Sequence, residues 1–412
     1  MRSEKDAWTF FIRQSMYDTA ELSDVIHNFL ASYNSVNKLP AHKLRVLNAL
    51  QKCRTEYMGG HIEVCEDCGK VRTAYNSCRN RHCPKCGAID KEKWIINREA
   101  DLLPVKYFHV IFTVPDKLNG LFMQNQRQMY NLLFSTTWDV LHDFGKTKNK
   151  RWQGGKPGAT AILHTWGQNL NYHPHLHLIV PAGVLTPGNK WKHSRGKGKY
   201  LFSVKQLSSV FRARFVHGVR ELLKANKVEG TLPEGLFDKD WVVYAKQPFG
   251  GPQQVISYLG RYTHRTAISN DRILKVTDST VTFTWKDYNQ NYQRKVTTLK
   301  GEDFLRLFVQ HILPPGFTRI RHYGFLSSAS KTKSLSIIRK ALHIAAPAKL
   351  SSEERTVKAL NRMGVRPGCC KVCGGRMVVT EIIPNRFRPS SRAPPPQKQD
   401  FIKHVSPVIP VI

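Results

Sequence analysis

The sequence has few acidic residues for its length. Its 412 residues include 30 Asp and Glu against 64 Lys and Arg, which gives a formal net charge of +34 at pH 7. A positive surplus of this size repels itself unless a polyanion is the normal partner. The charge balance therefore indicates nucleic-acid binding.

Long hydrophobic runs are also missing. No apolar stretch approaches the roughly 18 residues that a membrane-spanning helix needs, and no apolar signal segment follows the charged opening MRSEKDAWTF. There is no internal repeat and no Walker-type phosphate loop. Because 41% of the residues are hydrophobic, the chain is not disordered as a whole. We expect a globular, cytoplasmic protein that does not bind membranes.

The periodicity of apolar residues predicts a mixture of helices and strands, which is an α+β fold. Helical spacing predicts helices over 19–34, 41–52, 88–102, 121–144, 204–226 and 301–312. Runs of β-branched and aromatic residues predict strands at 105–114, 159–166, 173–180 and 241–246, and a three-stranded meander over 271–298.

We predict three regions along the chain. Residues 1–103 form a helical, zinc-binding and DNA-binding N-terminal domain, and residues 104–325 form the catalytic domain. Residues 326–412 form a basic, poorly patterned C-terminal region that ends in a disordered Pro-rich tail.

Six of the nine cysteines lie between residues 53 and 86. A cytosolic chain keeps its thiols reduced, so paired Cys-x-x-Cys motifs indicate a metal site rather than disulfides. The pairs Cys65/Cys68 and Cys83/Cys86 predict one complete zinc site. The candidate ligands of a second, interleaved site are Cys53, His61, Cys78 and His82. The alternative is a set of reduced core cysteines.

Three further cysteines lie near the C-terminus, at Cys369, Cys370 and Cys373. They form half of a zinc-binding pattern without a second pair downstream. They could borrow a ligand from elsewhere, but we expect buried or idle thiols.

A histidine-rich strand reads His-Pro-His-Leu-His over 173–177. Alternate residues of a strand share a face, so His175 and His177 point the same way and can clamp a divalent metal. Gln168, across a hairpin turn, is the predicted third ligand; His164 and His109 are alternatives. The competing interpretation is a polar edge strand with ordinary histidines.

A tyrosine-bearing helix is predicted to begin after Pro252, a residue that suits the first turn of a helix. Tyr258 and Tyr262 are four residues apart and emerge from one face of it. Around them lie candidate phosphate-binding residues, Arg261, His264 and Arg265. Taken alone, without the histidine strand, the two tyrosines would favour core or groove-lining aromatics over catalytic residues.

Four segments, in collinear order over roughly residues 20–325, resemble the insertion sequence 91 family of rolling-circle transposases. They are CRTEYMGGHIEVCEDCGKVRTAYNSCRNRHCPKCG, YFHVIFTVPDKL, HTWGQNLNYHPHLHLIVPAG and YLGRYTHRTAIS. That family belongs to the HUH endonucleases, named for a His-hydrophobe-His strand, which here is His175-Leu176-His177.

The resemblance implies a ferredoxin-like, HUH-type catalytic domain with an antiparallel sheet, and Tyr258 and Tyr262 as the catalytic tyrosines of a two-tyrosine enzyme. It implies a bacterial, nucleoid-associated transposase that nicks single-stranded DNA at element ends through a 5′-phosphotyrosine and rejoins it at a target. The implied cofactors are structural Zn²⁺ and catalytic Mg²⁺ or Mn²⁺.

Three other functions remain open from the sequence. A plasmid-type replication initiator or relaxase would share the nicking chemistry. A metal-dependent hydrolase that uses water as nucleophile would leave the tyrosine pair without a role. A non-catalytic zinc protein that binds DNA would leave the histidine strand unexplained.

Overall fold

The computed structural model describes residues 20–146, 154–198, 201–246, 254–256, 260, 266–287 and 290–386. The helices are α1 (Leu22–Asn37), α2 (Ala41–Gln51), α3 (Ala88–Glu99), α4 (Asn119–Gln124), α5 (Gln126–Lys146), α6 (Arg195–Gly198), α7 (Val204–Lys224), α8 (Gly301–Val309), α9 (Lys331–Ala341) and α10 (Ser352–Arg362). The strands are β1 (Gly60–Cys65), β2 (Val71–Tyr75), β3 (Tyr107–Thr113), β4 (Gly158–Trp166), β5 (Tyr172–Pro181), β6 (Gly183–Leu185), β7 (Trp191–His193), β8 (Val243–Lys246), β9 (Ile273–Val276), β10 (Thr280–Asp287), β11 (Gln293–Lys300), β12 (Ile320–Gly324) and β13 (Met377–Ile383).

The central element is a five-stranded antiparallel sheet with the strand order β12-β4-β5-β3-β8. Side chains of a strand alternate between the two faces of its sheet. Leu176 and Leu178 of β5 are therefore buried against α4, α5 and α7 in the largest hydrophobic cluster. His175 and His177 point to the opposite face. The α+β fold with an antiparallel sheet is confirmed.

The histidine face has its own, smaller hydrophobic cluster. Ile162 and Ile179 of the sheet contribute to it together with Ile95 of α3. From outside the sheet, Val255 and Ile256 also belong to this cluster. Helices α3 and α9 thus cover part of this face, and the histidines lie next to the covered part.

A second core joins the N-terminal helices to the meander. Helices α1 and α2 share a hydrophobic cluster with β9, β10 and α8. At its centre Phe283 of β10 meets Phe304 of α8 edge to face, with ring centroids 5.5 Å apart. The predicted boundary at residue 103 is therefore not a packing boundary, because residues 22–53 bury their apolar faces against residues 267–312.

The C-terminal region also differs from the prediction of a poorly patterned segment. It contains α9, α10 and β13, and β13 pairs antiparallel with β1 in a three-stranded sheet of order β13-β1-β2. Arg362 of α10 contacts Glu99 of α3 at 2.7 Å. The Pro-rich tail, predicted to be disordered, lies outside the described residues.

Among the residues that the structure describes, no helix combines the length and the apolar character needed to cross a membrane.

Candidate active site and metal centres

Three imidazoles converge on one face of the central sheet. The antiparallel pairing of β4 with β5 sets His164 opposite His175, and His177 lies two residues further along the same face. The candidate ligand atoms of these three histidines all lie within 4.8 Å of one another. His175 Nε2 and His177 Nε2 are only 3.0 Å apart. This arrangement can bind a single cation through three nitrogen atoms.

Hydrogen bonds orient two of these rings from behind. His175 Nδ1 donates to the carbonyl of His173 at 2.6 Å, so its Nε2 carries the lone pair in the neutral ring. His177 Nδ1 lies 2.9 Å from Nε2 of His109, with the two rings stacked. Such partners on the far nitrogen fix the tautomer and aim the near nitrogen at a metal. The donor set therefore fits a divalent cation.

Burial keeps His175 and its neighbour His109 neutral at physiological pH. It lowers the pKa of His175 to about 4, and His173 adds a smaller repulsion. Burial lowers the pKa of His109 to about 4 as well. A neutral imidazole is the form that binds metal, so protons do not compete for these nitrogens near pH 7.

The structure places His164 beside His175 and His177, whereas the predicted third ligand was Gln168. Gln168 lies in the turn between β4 and β5, beyond the paired part of the strands, and its carbonyl accepts a hydrogen bond from Arg272. His164, the alternative in the sequence analysis, faces His175 directly. The other alternative, His109, supports His177 from the neighbouring strand.

The predicted tyrosines and phosphate-binding residues fall in a segment that is only partly described. Tyr258, Arg261, Tyr262, His264 and Arg265 all lie outside the described residues. The neighbouring Val255, Ile256 and Gly260 are described. Val255 and Ile256 belong to the hydrophobic cluster on the histidine face, and an added Cβ on Gly260 would clash with the side chain of Ile95 of α3.

Four cysteines form a compact sulfur cluster beneath the N-terminal helices: Cys53, Cys78, Cys83 and Cys86. The Sγ atom of Cys86 lies 3.4 Å from that of Cys53 and 3.6 Å from that of Cys78. A tetrahedral zinc with Zn–S bonds of about 2.3 Å places its sulfurs about 3.8 Å apart, whereas a disulfide bond is about 2.0 Å long. The cluster therefore has the spacing of a zinc site.

The structure groups the cysteines differently from the predicted partition. Cys65 and Cys68 are grouped with Cys370 and Cys373, not with Cys83 and Cys86. The reason is the β1–β13 pairing, which carries a remote segment to the first cysteine pair. Cys370 and Cys373, expected to be buried or idle, lie in this second group of four, which the sequence analysis did not predict.

The two predicted histidine ligands lie outside both sulfur clusters. His61 Nε2 contacts the carboxylate of Glu63 at 3.1 Å. His82 is buried, and this burial together with the nearby Arg319 holds its pKa well below its usual value. Both groups of four consist of cysteines alone.

Comparison with known proteins agrees with this architecture. Residues 25–114 match the family described as transposase zinc-binding domain, and residues 158–334 match the family described as putative transposase. The chain is 37% identical over 388 residues to the putative transposase y4qJ of Sinorhizobium fredii, covering 88% of this chain and 95% of that protein. It is 29% identical over 362 residues to the transposase of insertion sequence element IS801 of Pseudomonas savastanoi pv. phaseolicola, covering 83% and 84%.

Solved structures of the conjugative relaxase TrwC in complex with OriT DNA are also similar. The metal-bound structure has 12% sequence identity and a TM-score of 0.25, and the match covers 63% of this chain and 73% of that one. We draw no functional conclusion from a likeness at this level.

The fold and these matches define a DNA transposase with an N-terminal zinc-binding domain. Within that class, the chain belongs to the insertion sequence 91 family.

The cluster around Cys86 generates a prediction about stability. Cys86→Ser removes one sulfur ligand within the core that joins α1 and α2 to the meander. We expect loss of zinc and a decrease in the free energy of unfolding of more than about 4 kcal/mol, because the remaining thiols no longer hold the metal. Zinc analysis and denaturant unfolding measure both effects.

The matched control is His61→Ala, which removes a predicted ligand that lies outside the cluster. It should retain the full zinc content. Loss of zinc in the His61 variant, or its retention in the Cys86 variant, would contradict the observed grouping.

Proposed function

We propose that this transposase nicks single-stranded DNA at the ends of its element through a 5′-phosphotyrosine intermediate and rejoins the strand at a target by rolling-circle transposition. The observation that carries the proposal is the convergence of His164, His175 and His177 on one sheet face. The hydrophobic cluster on this face includes Val255 and Ile256, which precede Tyr258 by three and two residues.

The three histidines would hold a divalent cation. Such an ion, when bound, polarises a phosphoryl oxygen and neutralises charge at the scissile phosphate. Of the two expected ions, an all-nitrogen donor set favours Mn²⁺, because Mg²⁺ strongly prefers oxygen ligands. His109 keeps His177 in the orientation that binding needs.

The nucleophile in this proposal is a tyrosine hydroxyl. The oxygen of Tyr258 or Tyr262 attacks phosphorus, the bond from phosphorus to the 3′-oxygen breaks, and the tyrosine proton ends on that oxygen. The products are a 5′-phosphotyrosine and a free 3′-hydroxyl that can prime replication. The reverse attack by a 3′-hydroxyl rejoins DNA without ATP. With two tyrosines, a second strand can be cut while the first remains attached.

A basic face of the β9–β11 meander is a candidate DNA contact. Its outer side presents exposed cations at Lys275, Lys286, Arg294 and Lys300. Lys286 and Arg294 are directly opposite each other across the β10–β11 pair. Like charges in that position repel and destabilise a sheet, so an anionic partner would relieve a cost that the free protein bears.

This face is connected to the histidine site through Arg272. The Arg272 side chain donates to the carbonyl of Thr284 in β10 at 2.8 Å and to the carbonyl of Gln168 in the β4–β5 turn. The meander is thereby held against the turn that joins the histidine-bearing strands.

The rival functions are less well supported. A replication initiator or relaxase would use the same nicking step, but the family membership favours the transposase. A zinc regulator without activity gives no role to three converging imidazoles with oriented nitrogens.

The histidine site predicts a graded set of losses. His164→Ala or His177→Ala should lower the nicking rate of a single-stranded oligonucleotide by about 10³-fold and leave DNA binding nearly intact, because the metal acts only on the scissile phosphate. His109→Ala should weaken the apparent metal affinity by about 10–100-fold, with activity restored at high metal concentration. Nicking assays across a Mn²⁺ titration separate these effects.

Gln168→Ala is the matched control and should keep the wild-type metal dependence. If Gln168→Ala is inactive while His164→Ala is active, the third ligand is wrongly assigned.

The tyrosine prediction tests the proposed function itself. Cleavage of a labelled oligonucleotide should leave a protein–DNA adduct that survives denaturing gels, on the 5′ end of the downstream fragment. Each single variant, Tyr258→Phe or Tyr262→Phe, should retain some nicking. The double variant should form no adduct yet still bind DNA, because Phe keeps the ring and removes only the hydroxyl.

Tyr244→Phe is the control, since the Tyr244 ring meets His109 edge to face in the described structure. It should form the adduct normally. An adduct in the double variant, or cleavage that leaves two free DNA ends, would refute tyrosine catalysis by this pair.

The basic face predicts a change in salt dependence. Replacing both Lys286 and Arg294 with Ala removes two phosphate contacts, so the log–log slope of single-stranded DNA affinity against salt should become shallower by about 1.4. Lys295→Ala is the matched control, because Lys295 lies on the opposite face and pairs with Asp287 at 2.7 Å. Equal slopes in the double variant and the wild type would exclude this face as a DNA contact.

A further inference from the structure

We propose that Cys65, Cys68, Cys370 and Cys373 bind a second structural zinc ion, which anchors the C-terminal strand β13 to the N-terminal zinc-binding domain. The matched zinc-binding family region ends at residue 114, so it contains only half of this ligand set. The other half lies about 300 residues further along the chain. The proposal rests on the cysteine geometry and is independent of the catalytic site.

The four sulfurs have the spacing of a metal site. Cys65 Sγ lies 3.5 Å from Cys373 Sγ, and Cys68 Sγ lies 3.7 Å from Cys370 Sγ. Both distances are too long for a disulfide bond and are close to the sulfur separation of about 3.8 Å in tetrahedral zinc sites. All four sulfurs fall within 4.8 Å of one another.

The two cysteine pairs have the same local structure. Each reads Cys-x-x-Cys-Gly, and the glycine has a positive φ in both, +68° at Gly69 and +82° at Gly374. In each turn the glycine amide donates to the carbonyl of the first cysteine at 3.0 Å. Only glycine adopts this backbone conformation at low cost, so the two turns are built as equivalent metal-binding knuckles.

Backbone amides donate hydrogen bonds to both sulfurs of the Cys370/Cys373 pair, which stabilises negative charge there. The Val372 amide donates to Cys370 Sγ, and the Gly375 amide donates to Cys373 Sγ, each at 3.4 Å. Zinc binds the thiolate form of cysteine, and amide donors of this kind stabilise a negatively charged sulfur.

The sheet around this cluster lacks a hydrophobic core of its own. The buried apolar cluster here consists of Cys65, Cys370 and Met377. Large side chains on its outer strands, such as Val71 of β2 and Val379 of β13, are exposed. A small unit with so little buried apolar surface needs a disulfide or a metal to be stable. The zinc would provide that stability and hold β13 beside β1.

The experiment compares the full-length wild type with the double variant C370S/C373S and the matched control C369S. Cys369 is adjacent in sequence but lies outside the cluster of four. Zinc analysis should give two ions per chain for the wild type and C369S, and one for the double variant. Amide exchange in β1 and β13 should rise in the double variant only, while exchange in β3 of the central sheet should stay unchanged.

Treating the wild-type protein with EDTA provides a measurement that does not depend on a variant folding. Zinc should be lost in two phases, and the faster one should coincide with increased exchange in β13, because these sulfurs are more exposed than those of the other cluster. Two zinc ions per chain in C370S/C373S would overturn the proposal. It would also be overturned if the wild type bound a single zinc ion and C370S/C373S retained it.

Discussion

The register between β4 and β5 is the constraint on which the site depends. It places His164 opposite His175, and a shift of β5 by one residue would turn His175 and His177 to the face that packs against α5 and α7. Leu176 and Leu178, which alternate with these histidines along β5, enforce that register because they must lie in the core beneath α5 and α7. The hydrophobic effect that folds the sheet therefore also assembles the imidazoles.

The two sulfur clusters stabilise the chain in different ways. The cluster of Cys53 and its partners is part of an extensive apolar core, so metal and hydrophobic burial support the same elements there. The cluster of Cys65 and its partners lies in a thin sheet, where the metal would replace a core. The first cluster joins segments within residues 53–86, whereas the second would tie the zinc-binding region to the C-terminal strand β13.

Much of the fold follows from local patterns. The strand predicted at 173–180 is β5, and the helix predicted at 204–226 is α7, because alternation and helical spacing are properties of a short window. The grouping of the metal ligands is harder to predict from the sequence. A Cys-x-x-Cys pair identifies a knuckle but not its partner, which here depends on β13 lying beside β1. The choice of His164 as third ligand likewise depends on the strand register, which the sequence does not show. The tyrosines are predicted from sequence and family resemblance alone.

We propose that His164, His175 and His177 together hold one divalent cation. The most direct measurement is anomalous X-ray diffraction from crystals of the full-length protein soaked in Mn²⁺. We predict a single strong manganese peak bonded to Nε2 of His175 and His177 and to a ring nitrogen of His164, with His109 still contacting His177. A manganese ion bound elsewhere, with no peak among these three imidazoles at saturating Mn²⁺, would contradict the assignment.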